Sequence, residues 1–280
     1  MPTYSVNAIN VGSFLLGESD KVITVFTAER GIIRAVAKGA RKPGTKMSGR
    51  SDVLCANKLF LSSGKTFEII TQAECIDTFP EFRKDLVRMS YALYYAELTQ
   101  QLGHGLFDES QWYFDYLLRG LQLQARCRFD PAWLCLEHEI GLLDMLGYRP
   151  ELTYCVTCRQ VLGDYNLGSF NSEQGGILCQ SCGLAQRWSV TRESAGGTAH
   201  QSMVRETSWR EGSHITPLVW KNLVLAADRR VSEDPDCGSL VKSALPQSIH
   251  AARRLIQGYI EHRIGRRLKA LDLLDQLNVQ

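Results

Sequence analysis

The chain of 280 residues has no run that approaches a membrane span. Its longest charge-free stretch, Met1–Gly17, includes Asn7, Asn10 and several Ser and Gly residues, where a span needs about 18 apolar ones. No basic cluster precedes an apolar run there, as it would in a secretory signal. A cytoplasmic protein without membrane contact is expected. Charge of one sign is also scarce: 32 Lys+Arg against 30 Asp+Glu leave a net +2. Catalytic signatures are missing too. Ser63-Gly64-Lys65-Thr66 looks like the end of a phosphate-binding loop, but Leu59 stands where that loop needs its first Gly. His138-Glu139 lacks the second His of a zinc-peptidase helix. No dinucleotide fingerprint, nucleophile elbow or deaminase cysteine motif occurs. The expectation is a protein that binds rather than turns over. The remaining composition, 44% hydrophobic and 22% charged, excludes collagen-like, coiled-coil and wholly disordered chains.

Cysteine is not scarce. There are 9, an odd number in a chain too long to need disulfide staples, which points to thiols or metal. Cys155-x-x-Cys158 is followed, after 20 intervening residues, by Cys179-x-x-Cys182. Each pair can form a knuckle offering two sulfurs, and two knuckles close a tetrahedral site for one Zn²⁺. Four protein thiolates leave no position for water, so the site is expected to be structural. A thioredoxin-like redox pair is the rival, but neither pair follows a βαβ pattern. Gly175-Gly176 reads as the turn of a zinc-ribbon hairpin. Cys55, Cys75, Cys127, Cys135 and Cys237 are expected to act as small buried apolar groups.

The other concentrated signal is basic. Between Arg30 and Arg50 lie Arg30, Arg34, Lys38, Arg41, Lys42, Lys46 and Arg50, with no acid among them. Such a window makes a local positive field even in a near-neutral chain. It falls in a β-prone region. Tyr4–Phe14, Val22–Phe26, Gly31–Gly39, Leu54–Leu61 and Thr66–Thr71 are short runs separated by turn signals, the pattern of a small five-stranded barrel. In the third run Ile33, Ala35 and Ala37 face one way and Arg34, Val36 and Lys38 the other. Arg34 and Lys38 would then stand about 13 Å apart on the outer face. Cations that follow phosphates on a small barrel suit a single-strand binder. Tyr4, Phe14, Phe26 and Phe60 fit the core better than a base platform.

From Pro80 the period becomes helical. The spacing predicts helices over Arg83–Leu102, over Glu109–Gln124 with Trp112, Tyr116 and Leu117 inward, and from Pro131 to Gly147. Asp130 is a candidate N-cap of the last of these and Gly147 its C-terminal cap. Further helices are predicted over Pro217–Asp228 and from Ser248 to about Leu274. Arg253, Arg254, Arg263, Arg266, Arg267 and Lys269 lie mainly on the polar face of that final helix. Ser189–His214 and Val231–Gln247 read as loops. The fold class is α+β, with a barrel domain over 1–79 and a mainly helical domain over 80–280 that carries the zinc module at about 151–190.

The order of these features resembles the RecO family of bacterial DNA repair and recombination mediators. The matching pieces are Gly17-Glu18, Phe26-Thr27, Arg30-Gly31, Ala37-Lys38-Gly39-Ala40-Arg41-Lys42-Pro43 and Phe79-Pro80. Then follow Glu139-Ile-Gly-Leu-Leu-Asp-Met-Leu-Gly-Tyr-Arg-Pro, Phe170-x-Ser172, the two cysteine pairs and Gly265-Arg-Arg-Leu-Lys-Ala. Arg159 departs from the pattern, standing where a Gly usually completes the first knuckle. The resemblance implies an N-terminal OB-fold and binding of single- and double-stranded DNA. It also implies annealing of complementary strands and, with RecR, assistance in loading RecA during double-strand-break and gap repair. Implied partners are RecR and the tail of the single-stranded-DNA-binding protein, and the implied location is the nucleoid. Arg34, Lys38, Arg41 and Lys42 match the family's basic strand and loop, and Cys155, Cys158, Cys179 and Cys182 its zinc cysteines. An RNA-binding factor of transcription or translation built from the same modules is the alternative.

Overall fold

A computed structural model of the chain describes residues 3–106, 108–186, 214–228 and 246–270. The described chain forms two compact units. One comprises the chain to Pro131 and takes it up again at Arg267; the other is Ala132–Arg266.

The first unit begins with five strands: β1 (Thr3–Leu16), β2 (Asp20–Thr27), β3 (Gly31–Ala37), β4 (Ala56–Ser62) and β5 (Glu68–Asp77). They close into a barrel in the order β1-β2-β3-β5-β4, with β3 parallel to β5 and every other pair antiparallel. A short helix, α1 (Lys46–Arg50), links β3 to β4. This is the OB-fold arrangement. Alternation accounts for it. Val6, Ala8, Ile23, Val25, Ala35, Ala37, Leu59 and Leu61 point inward and are buried, while their sequence neighbours point outward. The small residues of β3 fit the narrow interior. Two buried amides fix the α1 end: Asn10 Nδ2 donates to the Arg50 and Asp52 carbonyls at 2.8 Å each, and Asn57 Nδ2 to the Arg50 carbonyl at 3.0 Å. β5 runs past the expected end at Thr71 to Asp77. Beyond Thr71 only Ala73 is buried, and the apolar Ile76 is exposed, so the segment lacks the apolar alternation that marks a strand.

Two helices pack on the barrel within this unit, α2 (Leu86–Leu102) and α3 (Ser110–Arg126). The Asp85 side chain caps α2 through the Arg88 N–H. The Phe26 ring of β2 meets Tyr113 edge-on at 4.9 Å, and Ser110 Oγ donates to the Ala28 carbonyl at 2.8 Å. Arg126 closes the far end through Asp77 at 2.7 Å and Glu81 at 2.9 Å, and its hydrogen bond holds the Glu81 carboxyl below its ordinary value. The phase of α3 differs from expectation. Tyr113, Phe114, Leu117 and Leu121 are buried, whereas Trp112 is 51% exposed and Tyr116 only partly buried. Adjacent aromatics at 112–114 leave the apolar stripe ambiguous by one position.

The second unit holds α4 (Pro131–Met145, its first residue belonging to the first unit), strands β6 (Leu167–Asn171) and β7 (Gly176–Cys179), α5 (180–186), α6 (Pro217–Ala227) and α7 (Pro246–Ile264). Helix α4 ends as expected at Gly147, whose φ is +75°. The Tyr148 N–H reaches the Leu143 carbonyl and the Gly147 N–H the Asp144 carbonyl, the double bond of a Schellman motif. Helix α4 is buried nearly all round, including Glu137, His138 and Glu139. Arg253 of α7 corrects the expected polar face: it is 4% exposed and its Nε lies 3.7 Å from Glu139 Oε1. Helix α7 also stops short of Leu274. It ends at Ile264, and Gly265 turns the chain with φ +68°. In the first unit, the N–H groups of Lys269 and Ala270 then donate to the Glu97 carboxylate at 2.8 and 2.7 Å. Most of the stretches expected as loops at 189–214 and 231–247 lie outside the described residues, as does Cys237. Cys75 is exposed, unlike the buried Cys55 and Cys135. It lies toward the polar end of β5, two residues beyond Ala73. No helix among the described residues is long and apolar enough to cross a membrane.

Candidate metal centre and nucleic-acid interface

The cysteine pairs converge. The sulfurs of Cys155, Cys158, Cys179 and Cys182 all lie within 4.8 Å of one another, and Cys158 and Cys179 are 3.7 Å apart. A tetrahedral ion with metal–sulfur bonds of about 2.3 Å needs sulfur edges of about 3.8 Å, so the four thiols fit one ion. Cys155 and Cys158 flank a turn that closes when the Arg159 N–H donates to the Cys155 carbonyl at 2.9 Å. Arg159 itself takes φ +61°. The left-handed conformation that the knuckle requires is therefore kept without glycine. The second pair differs from the expected turn knuckle: Cys179 ends β7 and Cys182 lies in α5. A strand end followed directly by a helical turn also brings residues i and i+3 to one side.

Electrostatics fit a cation in the same place. Burial pulls the Cys155 thiol upward, but the N–H groups of Cys158, Cys179 and Thr157 outweigh it and hold the thiol at about 6. The Cys179 N–H lies 3.2 Å from that sulfur. Burial and the neighbouring sulfurs push Cys182 up to about 12 and raise Cys179 as well. A second or third thiolate is disfavoured until positive charge arrives. When bound, a dication would hold the two pairs together through its bonds to sulfur.

The hairpin that carries this centre is tightly drawn. Gly175 turns it with φ +73°. A Cβ on Gly168 would stand 2.6 Å from the Cys179 carbonyl oxygen and 2.7 Å from that of Leu178. Both are backbone atoms and cannot swing aside. Gly168→Ala should therefore cost about 1–3 kcal/mol through forced backbone shifts. Thermal unfolding of the variant, read as a drop in Tm beside unchanged metal content, checks this.

The basic window lies along the barrel. Arg30 occupies the β2–β3 turn, Arg34 the middle of β3, Lys38 the residue after it, Arg41 and Lys42 the following loop, and Lys46 and Arg50 the two ends of α1. Six of the seven are exposed and Arg50 is partly buried. None pairs with a carboxylate among the described residues. Arg30 lies over the Tyr4 ring at 4.0 Å, and the Arg50 guanidinium donates to the Ala73 carbonyl. These two also serve the barrel. Arg41 reaches the Gly17 carbonyl at 3.0 Å with Nη1, and its N–H reaches the Ser19 carbonyl at 3.0 Å. The basic loop is thereby tied to the β1–β2 hairpin. Among the aromatics, Phe26 is buried as expected and Tyr4 packs against the barrel core. Phe14, at 46% exposed, and Phe60, partly buried on the outward side between the inward Leu59 and Leu61, are the exceptions. Phe67, in the loop before β5, meets Phe14 edge-on at 6.3 Å. Sequence reasoning missed it by counting that loop as strand.

The sequence is similar to that of known proteins. The family described as "Recombination protein O N terminal" matches residues 1–79, and "Recombination protein O C terminal" matches 83–190. A "DNA repair protein RecO" of Synechococcus sp. (strain JA-2-3B'a(2-13)) is 30% identical over 97% of this chain and 89% of its own length. One from Gloeobacter violaceus is 35% identical over 81% of this chain and 85% of its own. One from Symbiobacterium thermophilum is 34% identical over 65% of this chain and 72% of its own.

Proposed function

Because this chain belongs to the RecO family of DNA repair and recombination proteins, we propose that it works there as a DNA-binding mediator. It binds single and double strands along β3 and the following loop and anneals complementary strands. With RecR and the tail of the single-stranded-DNA-binding protein as partners, it assists RecA loading. The observation that supports this most is the strip of Arg34, Lys38, Arg41, Lys42 and Lys46, exposed and unpaired with carboxylates of the described residues. An exposed cation row on a small barrel tracks phosphates. In this reading the protein acts by binding, not turnover. The ion is Zn²⁺, selected by four soft ligands in a tetrahedron, and its role is to hold the second unit's hairpin.

The test is annealing of two complementary strands coated with the single-strand-binding protein. Acceleration by the full chain is the expected result, and, in a separate assay on one coated single strand, RecA loading that depends on both the full chain and RecR. No acceleration at any protein concentration would overturn the mediator reading. Competition between DNA and RNA single strands of matched sequence separates the alternative, since a marked preference for RNA would assign the barrel to an RNA-binding factor.

A further inference from the structure

The β1–β2 hairpin carries apolar side chains out into water. Leu15 is 63% exposed, Leu16 38% and Phe14 46%, beyond the barrel core, whose β1 contributions are Val6 and Ala8. Gly17 turns the tip with φ +60°. Contiguous exposed apolar groups on a soluble domain mark a contact surface. The register shows what lies beside them. Phe14 is opposite Val22, and Val22 is opposite Val36. Directly opposed residues share a face, so Phe14 stands on the face of Arg34 and Lys38, which flank Val36 two residues either way. Strand spacings of about 4.8 Å and rises of about 3.3 Å put each of these cations about 12 Å from Phe14 along the sheet. Arg41 ties the tip to the basic loop, and Phe67 braces the Phe14 ring.

From this placement we infer that Phe14, braced by Phe67, is a stacking platform for an unpaired nucleobase, which adds affinity for a single strand that a duplex does not gain. The inference rests on the DNA-binding reading above and adds the recognition element that cations lack. A phosphate strip cannot distinguish one strand from two, because both present phosphates. A ring face can, since only an unpaired base offers its own face to it. The flanking charge identifies the occupant: an apolar ring set among unpaired cations suits a ligand that is flat and apolar at its bases and anionic along its backbone.

The test measures binding of the full chain to an oligothymidylate carrying one 2-aminopurine and to a duplex of equal length, across a salt series. Phe14→Ala should weaken single-strand binding by about 5- to 150-fold, abolish the stacking-dependent quench of 2-aminopurine and leave duplex binding within about 2-fold. The log–log salt slope should stay unchanged, because no phosphate contact is lost. Phe14→Trp should restore both affinity and quench, and Phe67→Ala should lose part of each. Phe14 is half-exposed, so the variants should fold, which circular dichroism verifies. Equal losses on single strand and duplex, or none on either, would overturn the platform while leaving the cation strip intact. Wild-type protein that binds no DNA at all would sink the underlying reading rather than this addition to it.

Discussion

A chain with both Cys155 and Cys179 replaced by serine is expected to lose its metal and, with it, the order of residues 151–186. The magnitude follows from a comparison. A structural Zn²⁺ contributes an apparent 10–16 kcal/mol or so at neutral pH in small zinc modules, whereas whole domains are stable by only about 5–15 kcal/mol. The hairpin β6–β7 has two short strands, and an isolated hairpin of that size is marginal in water. The sulfurs must therefore do much of the holding. Loss of even a few kcal/mol should lower Tm by roughly 10 °C in a protein of this size. A chelator should act on the wild type as the double substitution does, while Cys75→Ser, at an exposed position outside the cluster, should change neither metal content nor Tm. Elemental analysis should give one zinc per wild-type chain. A metal-free wild type with the same Tm as the double variant would end the structural-metal account.

What could be read before the fold was known divides along physical lines. Strict period-two alternation in β3 determines which of Arg34, Ala35, Val36, Ala37 and Lys38 face out, because a strand's geometry leaves no third option. The cysteine spacing is equally legible, since two Cys-x-x-Cys pairs with 20 residues between them point to one shared ion. Helix phase was harder. Trp112, Tyr113 and Phe114 are all apolar, and the choice between Trp112 and Tyr113 as the buried one is made by the Phe26 ring waiting on β2, which only tertiary structure supplies. Gly265 reads as part of one long helix because a single glycine costs only about 1 kcal/mol, and the Glu97 carboxylate that receives the next N–H groups lies 172 residues away. Unbroken alternation along β1 places Phe14 in the core for a related reason. The register shift between Asn10 and Gly12 inverts the alternation of β1, so residues beyond it swap faces. A one-residue bulge is invisible to composition and decisive for which side chains meet solvent.

Replacing Arg34, Lys38, Arg41 and Lys42 together by alanine should all but remove the salt dependence of single-strand binding. With five cations meeting phosphates, the log–log slope should be near −3.5, and with Lys46 alone near −0.7. Raising salt from 50 to 200 mM should then weaken the wild type about 130-fold and the variant only about 3-fold. Global charge cannot supply this effect. The chain's formal +2 is cancelled once four thiolates and one dication are counted, so affinity depends on where the cations sit rather than on how many the chain carries. The four side chains are exposed, so their removal should leave the barrel folded, and Arg41's bond to Gly17 is the single described hydrogen bond lost from them. Replacing Arg149 and Arg266, exposed cations of the other unit, serves as the control and should leave the slope near the wild-type value. If the quadruple variant keeps its slope while the control pair flattens it, the phosphate track belongs to the second unit and the barrel face has some other use.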